Sequence, residues 1–493
     1  MTSHPIVASV KKNYFYNTLL NMSNIVFPLV TFTYVSRMLG PATFGKVAFA
    51  TSFTGYFLLL ASLGIPVYGS REVARARSGG REELSRLFSE LFFLNLCSTA
   101  AALVLFAIPL VLVHKLQQET MLFLVTGSMI LANLFSVDWL FQGLENYRNV
   151  TLRSLCFKSA GLVILFLFVR RESDYLWYAA VGVITTGGSN IAGFLLRRKH
   201  AGLRLSGLSL RPHLGPVFVL FGAVLTTCVY MYLDSVMLGF LAGDKAVGLY
   251  TAASKITRTA VVVVTSLSMV LVPRISFYVK NGLMDEYRSI TQKSTYVILL
   301  VALPLSVGLY FLAPDIVAVF AGARFSDAVA AVHITAPLIV IIGVSNFFSL
   351  QILYPNGQEK SMLLAALGAA AVDVVLNLAL IPRFGFRGTA AASLGAEVVT
   401  LVLYVIFTKK ELRKFRFADR RTATYAGASA VMGVALFFVT RLLPNPAASM
   451  AVSCVSGILV YFGILYAVKD PLVREVAALV RKRGLSGFRM LLG

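Results

Sequence analysis

Long apolar runs alternate with short polar connections along the whole chain. A membrane-spanning helix needs about 20 mostly apolar residues, and fourteen runs of this sequence are close to that length. They lie near residues 14–36, 46–68, 91–113, 120–142, 152–169, 175–196, 217–241, 247–272, 293–313, 329–353, 361–382, 388–408, 424–442 and 448–468. We therefore expect an all-α integral membrane protein with about 14 transmembrane helices.

Composition supports this fold class. Of the 493 residues, 57% are hydrophobic and 14% are charged, whereas soluble domains carry roughly 25% charged residues. The net charge of +23 comes from basic residues that lie between the apolar runs, and the sequence contains no nucleic-acid-binding motif. We expect anionic membrane lipids, and no nucleic acid, as partners of these basic residues.

The basic residues also predict an orientation. The N-terminal tail, the even-numbered connections and the C-terminal tail hold 32 of the 45 Lys and Arg residues, against 10 in the odd-numbered connections. Because Lys and Arg concentrate in cytoplasmic loops, we expect both termini in the cytoplasm. A missed or extra helix would invert every later loop, so the bias also supports fourteen spans.

Two motifs occur twice at similar separations. One is Gly40-Pro-Ala-Thr-Phe-Gly45, which matches Gly243-Asp-Lys-Ala-Val-Gly248. The other is Gln142-Gly-Leu-Glu145, which matches Asn356-Gly-Gln-Glu359. Each pair is six predicted helices apart, and an even number preserves orientation. The alternative is chance, since glycine-rich helix starts are common in membrane proteins.

The repeat predicts two six-helix lobes around a central cavity, plus two C-terminal helices. The expected boundaries are 1–210 for the N-terminal lobe, 211–410 for the C-terminal lobe, and 411–493 for the last two helices and a basic cytoplasmic tail. Transporters built from repeats bind their substrate where the repeats meet.

Polar residues inside the apolar runs indicate where such a cavity lies. Asn17, Asn21 and Asn24 fall on one face of the first helix because their spacing is 4 and 3. Charged and polar residues within spans are costly and usually face a wet cavity. The other candidate cavity residues are Lys46, Lys158, Tyr230, Asp234, Lys255 and Arg258. The alternative is that they join helices, with Asp234 paired to Lys255 or Arg258.

A cationic cavity favours an anionic substrate, and its Asn and Tyr side chains can hydrogen-bond sugar hydroxyls. No catalytic, metal-binding or cofactor-binding motif occurs, and the five histidines are scattered. The sequence also lacks a P-loop. We therefore expect no catalytic residues, no metal and no cofactor, and transport driven by a gradient or the membrane potential.

Three segments resemble a known family. They are Val137-Asp-Trp-Leu-Phe-Gln-Gly-Leu-Glu-Asn-Tyr-Arg148, Asn377-Leu-Ala-Leu-Ile-Pro-Arg-Phe-Gly-Phe-Arg-Gly-Thr-Ala-Ala391 and Ser36-Arg-Met-Leu-Gly40. They are similar to signatures of the polysaccharide repeat-unit (O-antigen, Wzx-type) flippases of the multidrug/oligosaccharidyl-lipid/polysaccharide (MOP) exporter superfamily. The matching motif residues are Arg37, Asp138, Gln142, Glu145 and Arg148.

The resemblance implies a transporter, and not an enzyme, in the bacterial cytoplasmic (inner) membrane. Its substrate would be an undecaprenyl-diphosphate-linked oligosaccharide, moved to the outer leaflet by alternating access for surface polysaccharide (O-antigen, capsule or exopolysaccharide) biosynthesis. A polysaccharide polymerase and a chain-length regulator are candidate partners.

Three other functions remain open. They are a MATE-like drug antiporter, whose cation site should be walled by carboxylates, a lipid II flippase, and a membrane polysaccharide polymerase, which needs a long outside loop.

Overall fold

The computed structural model describes residues 10–204, 206–412, 415 and 419–483, although the side chains of residues 10, 11, 223–231, 410, 412 and 479–483 lie outside that description. Within these residues every regular element is helical. The chain divides into two compact units, Met1–Gly248 and Leu249–Gly493, here called the N-terminal unit and the C-terminal unit.

The N-terminal unit is an α-helical bundle with short 3₁₀ turns. Its helices are α1 (Val10–Ser62), α2 (Ile65–Ala76), α3 (Gly80–Leu112), α4 (His114–Gln117), α5 (Thr120–Asn133), α6 (Asp138–Gly143), α7 (Tyr147–Phe168), α8 (Tyr175–Leu196) and α9 (Arg211–Ala242).

The C-terminal unit is also a helical bundle, and its first helix begins in the N-terminal unit. Its helices are α10 (Asp244–Lys280), α11 (Met284–Phe320), α12 (Ala328–Thr335), α13 (Leu338–Phe347) continued by a π-helix (Phe348–Leu353), α14 (Glu359–Phe384), α15 (Phe386–Phe407), α16 (Lys409–Leu412), α17 (Arg420–Leu442), α18 (Pro446–Ala467) and α19 (Pro471–Arg483).

The all-helical membrane fold predicted from the sequence is confirmed. Among the described residues, eleven helical stretches are long and apolar enough to cross a membrane. The first of them, Lys12–Leu112, contains three of the predicted spans to within one residue, and α9 contains the predicted span 217–241. Each of the other ten contains one predicted span except for at most one residue, so all fourteen lie in mainly helical chain.

Glycine turns separate helices that the apolar pattern alone joins. Gly40 has φ 70° inside α1, and Gly243 has φ 83° between α9 and α10. L-residues with a side chain rarely adopt this conformation, so glycine is needed at both turns. The two copies of the glycine motif therefore share a backbone conformation as well as a sequence.

The second glycines of the two motifs pack directly against each other's segment. A Cβ atom on Gly45 would overlap the carbonyl oxygen of Asp244, and one on Gly248 would overlap the carbonyl oxygen of Pro41. The contact is reciprocal and lies within the N-terminal unit. It fixes the start of α10 against α1 at backbone distance.

Aromatic packing surrounds the short helix α6 in the N-terminal unit. The rings of Phe88 and Trp139 stack with centroids 5.7 Å apart, and the Trp139 indole N–H donates to the Ser136 carbonyl at 3.0 Å. Leu140 and Phe141 of the same short helix α6 are fully buried. The family-like segment at residues 137–148 is thus partly a core element.

A buried acid ties the connection before α9 to α3. Glu90 accepts hydrogen bonds from His213 Nε2 at 2.9 Å and from the Ser209 backbone N–H at 3.0 Å. The other ring nitrogen of His213 contacts the Tyr68 hydroxyl at 2.7 Å. The Arg86 guanidinium also donates to Glu90 at 3.1 Å, so the carboxylate has several partners.

Polar contacts join the last helices of the C-terminal unit to α11 and to one another. The Tyr461 hydroxyl on α18 donates to the Leu300 carbonyl at 2.9 Å. Arg421 on α17 forms a two-pronged ion pair with Asp470, with N–O distances of 2.9 and 3.2 Å. Asp470 also accepts the first backbone N–H groups of α19.

Candidate translocation site

The first helix presents a polar stripe and an apolar stripe on opposite sides. Asn17, Asn21 and Asn24 are all exposed, and the exposed Met22 and Val26 lie about half a turn away around the helix. A helix that only joins neighbours would bury its amides against them. Two exposed and chemically different faces suit a helix with lipid on one side and water on the other.

Lys158 lies midway along α7 and meets this polar stripe. Its ammonium donates to Asn24 Oδ1 at 2.5 Å and to Ser23 Oγ at 3.0 Å. It also lies 5.9 Å from the centre of the Phe27 ring. Among the described residues no carboxylate lies within ion-pair distance of Lys158. The structure therefore unites two predicted site residues, and the cation is solvated only by neutral groups.

Lys46 has a different environment. Its ammonium forms an ion pair with Glu119 at 2.6 Å, and the Tyr175 hydroxyl donates to the second oxygen of the same carboxylate at 2.9 Å. The charge of Lys46 is thus balanced within the N-terminal unit. Nothing in the spacing of residues 46 and 119 indicates this pair, so the sequence could not reveal it.

Lys115, beside this pair on the short helix α4, adds a second cation. It donates to the Gly239 carbonyl and lies 3.9 Å from Asp244. Burial lowers the pKa of Lys115, and the nearby Asp244 carboxylate partly offsets that effect. Lys115 thus places a positive charge at the C-terminal end of α9, where the helix dipole favours a cation.

In the C-terminal unit, the predicted cations lie on one side of α10. Arg258 is exposed and Lys255 is half-buried, and Arg258 Nε donates to Ser254 Oγ at 3.2 Å. The packed side of α10 carries different residues, because Thr257 contacts Thr335 at 2.8 Å in the unit's interior. Lys255 and Arg258 therefore project away from the α10–α12 contact.

An apolar groove runs along the C-terminal unit beside the last two spans. It has a volume of about 350 Å³ and is formed by α10, α11, α17 and α18. Its walls include Pro304 and Leu309 of α11, Met432 of α17, and Gly457 and Phe462 of α18. Such a surface accepts a hydrocarbon chain and offers little to a sugar or a phosphate.

The family-like motif residues occupy several environments. The Asp138 carboxylate is paired with the Arg153 guanidinium. Glu145 pairs with Arg77 at 2.8 Å and has φ 58°. Gln142 is half-buried, whereas Arg37 and Arg148 are exposed.

For two predicted cavity residues the described side-chain contacts do not bear on a cavity. Asp234 on α9 is buried, and the side chain of Tyr230 lies outside the described residues. Their roles in a cavity remain predictions.

Comparisons with known proteins agree with the fold. Residues 10–279 match the family model described as "Polysaccharide biosynthesis protein", and residues 220–382 match the model MatE. A protein of Escherichia coli (strain K12) named "Putative O-antigen transporter" is 24% identical over 409 residues, which cover 81% of this chain and 97% of that protein. A protein of Shigella dysenteriae with the same name is 25% identical, and the match covers 80% of this chain and 99% of that protein.

Solved structures show the same architecture. The lipid II flippase MurJ in an inward closed conformation has a TM-score of 0.76 and 15% identity, with 93% of this chain and 100% of that chain covered. An inward-facing MATE-family multidrug transporter of the MOP superfamily has a TM-score of 0.64 and 14% identity, with 78% and 94% covered. The superfamily resemblance drawn from the motifs is confirmed.

Proposed function

The chain belongs to the polysaccharide biosynthesis protein family, and on that premise we propose that it is a lipid-linked oligosaccharide flippase. It moves an undecaprenyl-diphosphate-linked oligosaccharide from the cytoplasmic to the outer leaflet of the bacterial inner membrane. The binding surface opens to each side in turn, and both termini stay in the cytoplasm. The relatives named as O-antigen transporters support this substrate class.

The observation that carries the proposal is the environment of Lys158. A charge at the centre of a membrane helix costs about 2.5–3.5 kcal/mol on insertion scales. Here the described neighbours of the ammonium are an amide, a hydroxyl and a ring. An ammonium without a carboxylate partner, beside an exposed polar stripe, can bind an anion such as a diphosphate. Lys255 and Arg258 supply further positive charge in the C-terminal unit.

The remaining polar side chains suit the sugar. Asn17, Asn21 and Asn24 each carry an amide that can donate to and accept from sugar hydroxyls. We exclude Lys46 from the proposed cation set because Glu119 balances its charge. Tyr230 and Asp234 stay in the proposed polar surface on the strength of the sequence pattern alone.

The apolar groove supports a lipid-linked substrate. A polyprenyl chain is a long hydrocarbon, and a groove walled by Pro, Leu, Met and Phe side chains can hold part of it while the polar head crosses. The groove uses α17 and α18, the two helices beyond the predicted repeat. This gives these added helices a role in a transporter of lipids.

The competing functions fit the same observations less well. A cation antiporter needs carboxylates in its polar surface, whereas Lys158 and Arg258 are cations without a carboxylate partner among the described residues. A polymerase needs a large external segment to hold its catalytic site. The outside connections predicted from the sequence are all short. A lipid II flippase also moves an undecaprenyl-diphosphate-linked molecule and differs in the head group it carries, so experiment must separate it.

Deletion of the gene in its own organism tests the proposal. We expect lipid-linked oligosaccharide to accumulate on the cytoplasmic side and surface polysaccharide to be lost, with both restored by the wild-type gene. Arrested peptidoglycan synthesis would instead identify a lipid II flippase. Altered drug resistance with normal surface polysaccharide would contradict the proposal.

A further inference from the structure

A polar pocket lies at the start of α7, separate from the Lys158 side chain and from the apolar groove. It has a volume of about 500 Å³ and is lined by Asn146, Arg148, Asn149, Leu152, Arg153 and Leu196. The pocket combines two guanidinium groups, two amides and two apolar side chains. We call it the Arg148 pocket.

One wall of the pocket is a buried and incompletely satisfied arginine. Arg153 is 7% exposed, and its Nη2 group is paired with Asp138. Its Nε and Nη1 groups are buried and have no hydrogen-bond acceptor among the described residues. A buried guanidinium N–H without an acceptor costs free energy, so an anion bound beside it would be stabilised.

Close backbone packing fixes this guanidinium in place. A Cβ atom on Gly193 of α8 would overlap Arg153 Nη1, so the side chain occupies space that only glycine leaves free. The ring of Phe141 lies 5.5 Å from the guanidinium carbon on another side. Arg153 is therefore held rigidly at the edge of the pocket, which lowers the entropy cost of binding a ligand there.

The pocket has an excess of positive charge. Asp138 offsets Arg153, and Arg77 pairs with the nearby Glu145. Arg148 is exposed and has no carboxylate partner among the described residues. The first N–H groups of the 22-residue helix α7 add the positive end of the helix dipole. Arginine and a helix start are both common binding groups for phosphate.

The rim of the pocket continues into a surface suited to lipid. Leu152 and Leu196 are exposed, and exposed Cys156 and Val163 follow Leu152 on one face of α7. On α8, exposed Ile191 and Leu195 precede Leu196. A soluble phosphate would gain nothing from these residues, but the chains of a phosphate-bearing lipid would cover them.

We propose that the Arg148 pocket binds the phosphate of a membrane lipid, whose apolar chains lie along α7 and α8. The phosphate could be carried by a polyprenyl phosphate or by an anionic phospholipid. Only the polyprenyl source rests on the proposed function, since the phosphate chemistry stands without it. In the predicted orientation the pocket lies at the cytoplasmic end of α7, where a substrate would arrive.

Lipid binding to the purified full-length chain in detergent tests the proposal. The probes are undecaprenyl phosphate, phosphatidylglycerol and undecaprenol, which lacks a phosphate. The test variant is Arg148→Gln, and the matched control is Arg198→Gln, which removes an exposed arginine beyond the C-terminal end of α8. Gly193→Ala, which must displace Arg153, is a second test variant.

We expect Arg148→Gln to weaken binding of a phosphate-bearing lipid about tenfold, the loss of a charged hydrogen bond, and to leave undecaprenol binding unchanged. Loss for undecaprenyl phosphate alone would assign the site to a polyprenyl phosphate. Loss for both phosphate lipids would assign it to membrane phospholipid. Unchanged binding of both in Arg148→Gln and Gly193→Ala, or equal losses in Arg198→Gln, would overturn the proposal. If the lipid-binding test fails but the protein still translocates oligosaccharide, only the Arg148 pocket proposal is overturned and the flippase proposal stands.

Discussion

Charged residues inside the membrane-spanning helices differ in the partners that surround them. Lys158 has neutral partners, Lys46 has Glu119, and Asp138 has Arg153. The pairs at Lys46 and Asp138 balance charge and hold helices together. We propose that Lys158 binds an anion, and its substitution is therefore the most informative.

Lys158→Gln should slow oligosaccharide export about tenfold or more, because a charged hydrogen bond is worth about 1.5–3 kcal/mol. Lys158→Arg should retain most activity because the charge remains. Since the substitution by Gln removes an unpaired charge from a membrane helix, protein stability should stay equal or rise. Surface polysaccharide, protein level and Tm in detergent together measure this.

Lys46→Gln is the matched control for a paired cation. It should lower Tm, since it leaves Glu119 without its ion pair. Loss of both stability and export in Lys158→Gln would instead show that Lys158 has a structural role.

Lys255→Ala or Arg258→Ala should reduce surface polysaccharide without reducing protein level, and Lys255→Arg should largely restore it. Both residues project from α10 on the side away from Thr257. Quantitative blotting of surface polysaccharide and of the protein checks this. Normal polymer in both alanine variants would remove these residues from the site.

The sequence could predict which candidate residues share a helix face, but it could not predict their partners. The spacing of Asn17, Asn21 and Asn24 is local, so helix geometry alone places them on one face. The ion pair of Lys46 joins residues 73 positions apart, and helix periodicity carries no such information. The same holds for the contact of Lys158 with Asn24, 134 positions away.

Among the structural elements, the paired glycine motifs have the clearest consequence. Gly45→Ala should destabilise the protein by about 1–3 kcal/mol, because the added Cβ meets the backbone of Asp244 and cannot be accommodated by a side-chain rotation. Gly248→Ala should behave alike, since its Cβ meets the backbone of Pro41. Thermal unfolding in detergent measures the loss.

Gly215→Ala on α9 is the control, because its added Cβ has no neighbour within 4 Å. It should be neutral or stabilise the helix by up to about 1 kcal/mol. Equal effects at residues 45 and 215 would contradict the close packing of the two motifs.

The Arg421–Asp470 pair predicts acid-dependent stability. Burial alone raises the pKa of Asp470, but hydrogen bonds from Arg421 and the Val473 N–H outweigh it and hold the pKa below its usual value. The unfolded carboxyl titrates near pH 3.9. The ion pair therefore stabilises the fold fully above that pH, and its contribution is lost as pH falls through the lower folded-state value.

Asp470→Asn should accordingly cost about 2 kcal/mol at pH 7, and its difference from wild type should shrink below about pH 4. Unfolding curves from pH 7 to pH 3 measure this. Asp285→Asn, at an exposed ion pair with Arg288, should change little at any pH. A difference for Asp470→Asn that grows as pH falls would contradict the assignment.

Helix positions could be predicted well because each span needs a continuous apolar run. The breaks within spans could not. The predicted span at 120–142 contains an interruption between α5 and α6, and that at 329–353 contains one between α12 and α13. The residues at these breaks are mostly apolar, so hydropathy does not distinguish them from helix, and tertiary packing decides.

At the scale of the whole molecule, the fold and the proposed substrate rest on different observations. Structures with low identity, MurJ and a MATE transporter, share the architecture, so the fold alone does not choose between lipids, sugars and drugs. The choice rests on the Lys158 environment and on the apolar groove beside α17 and α18. Both are chemical features of this chain.

Translocation by the purified full-length protein in proteoliposomes tests the central claim most directly. The vesicles contain the organism's labelled undecaprenyl-diphosphate-linked oligosaccharide, and a membrane-impermeant reagent modifies the sugars exposed outside. We predict that wild-type protein makes the inner-leaflet molecules accessible and that Lys158→Gln does so about tenfold more slowly. Accessibility no greater than in protein-free vesicles, or equal rates for both proteins, would contradict the account.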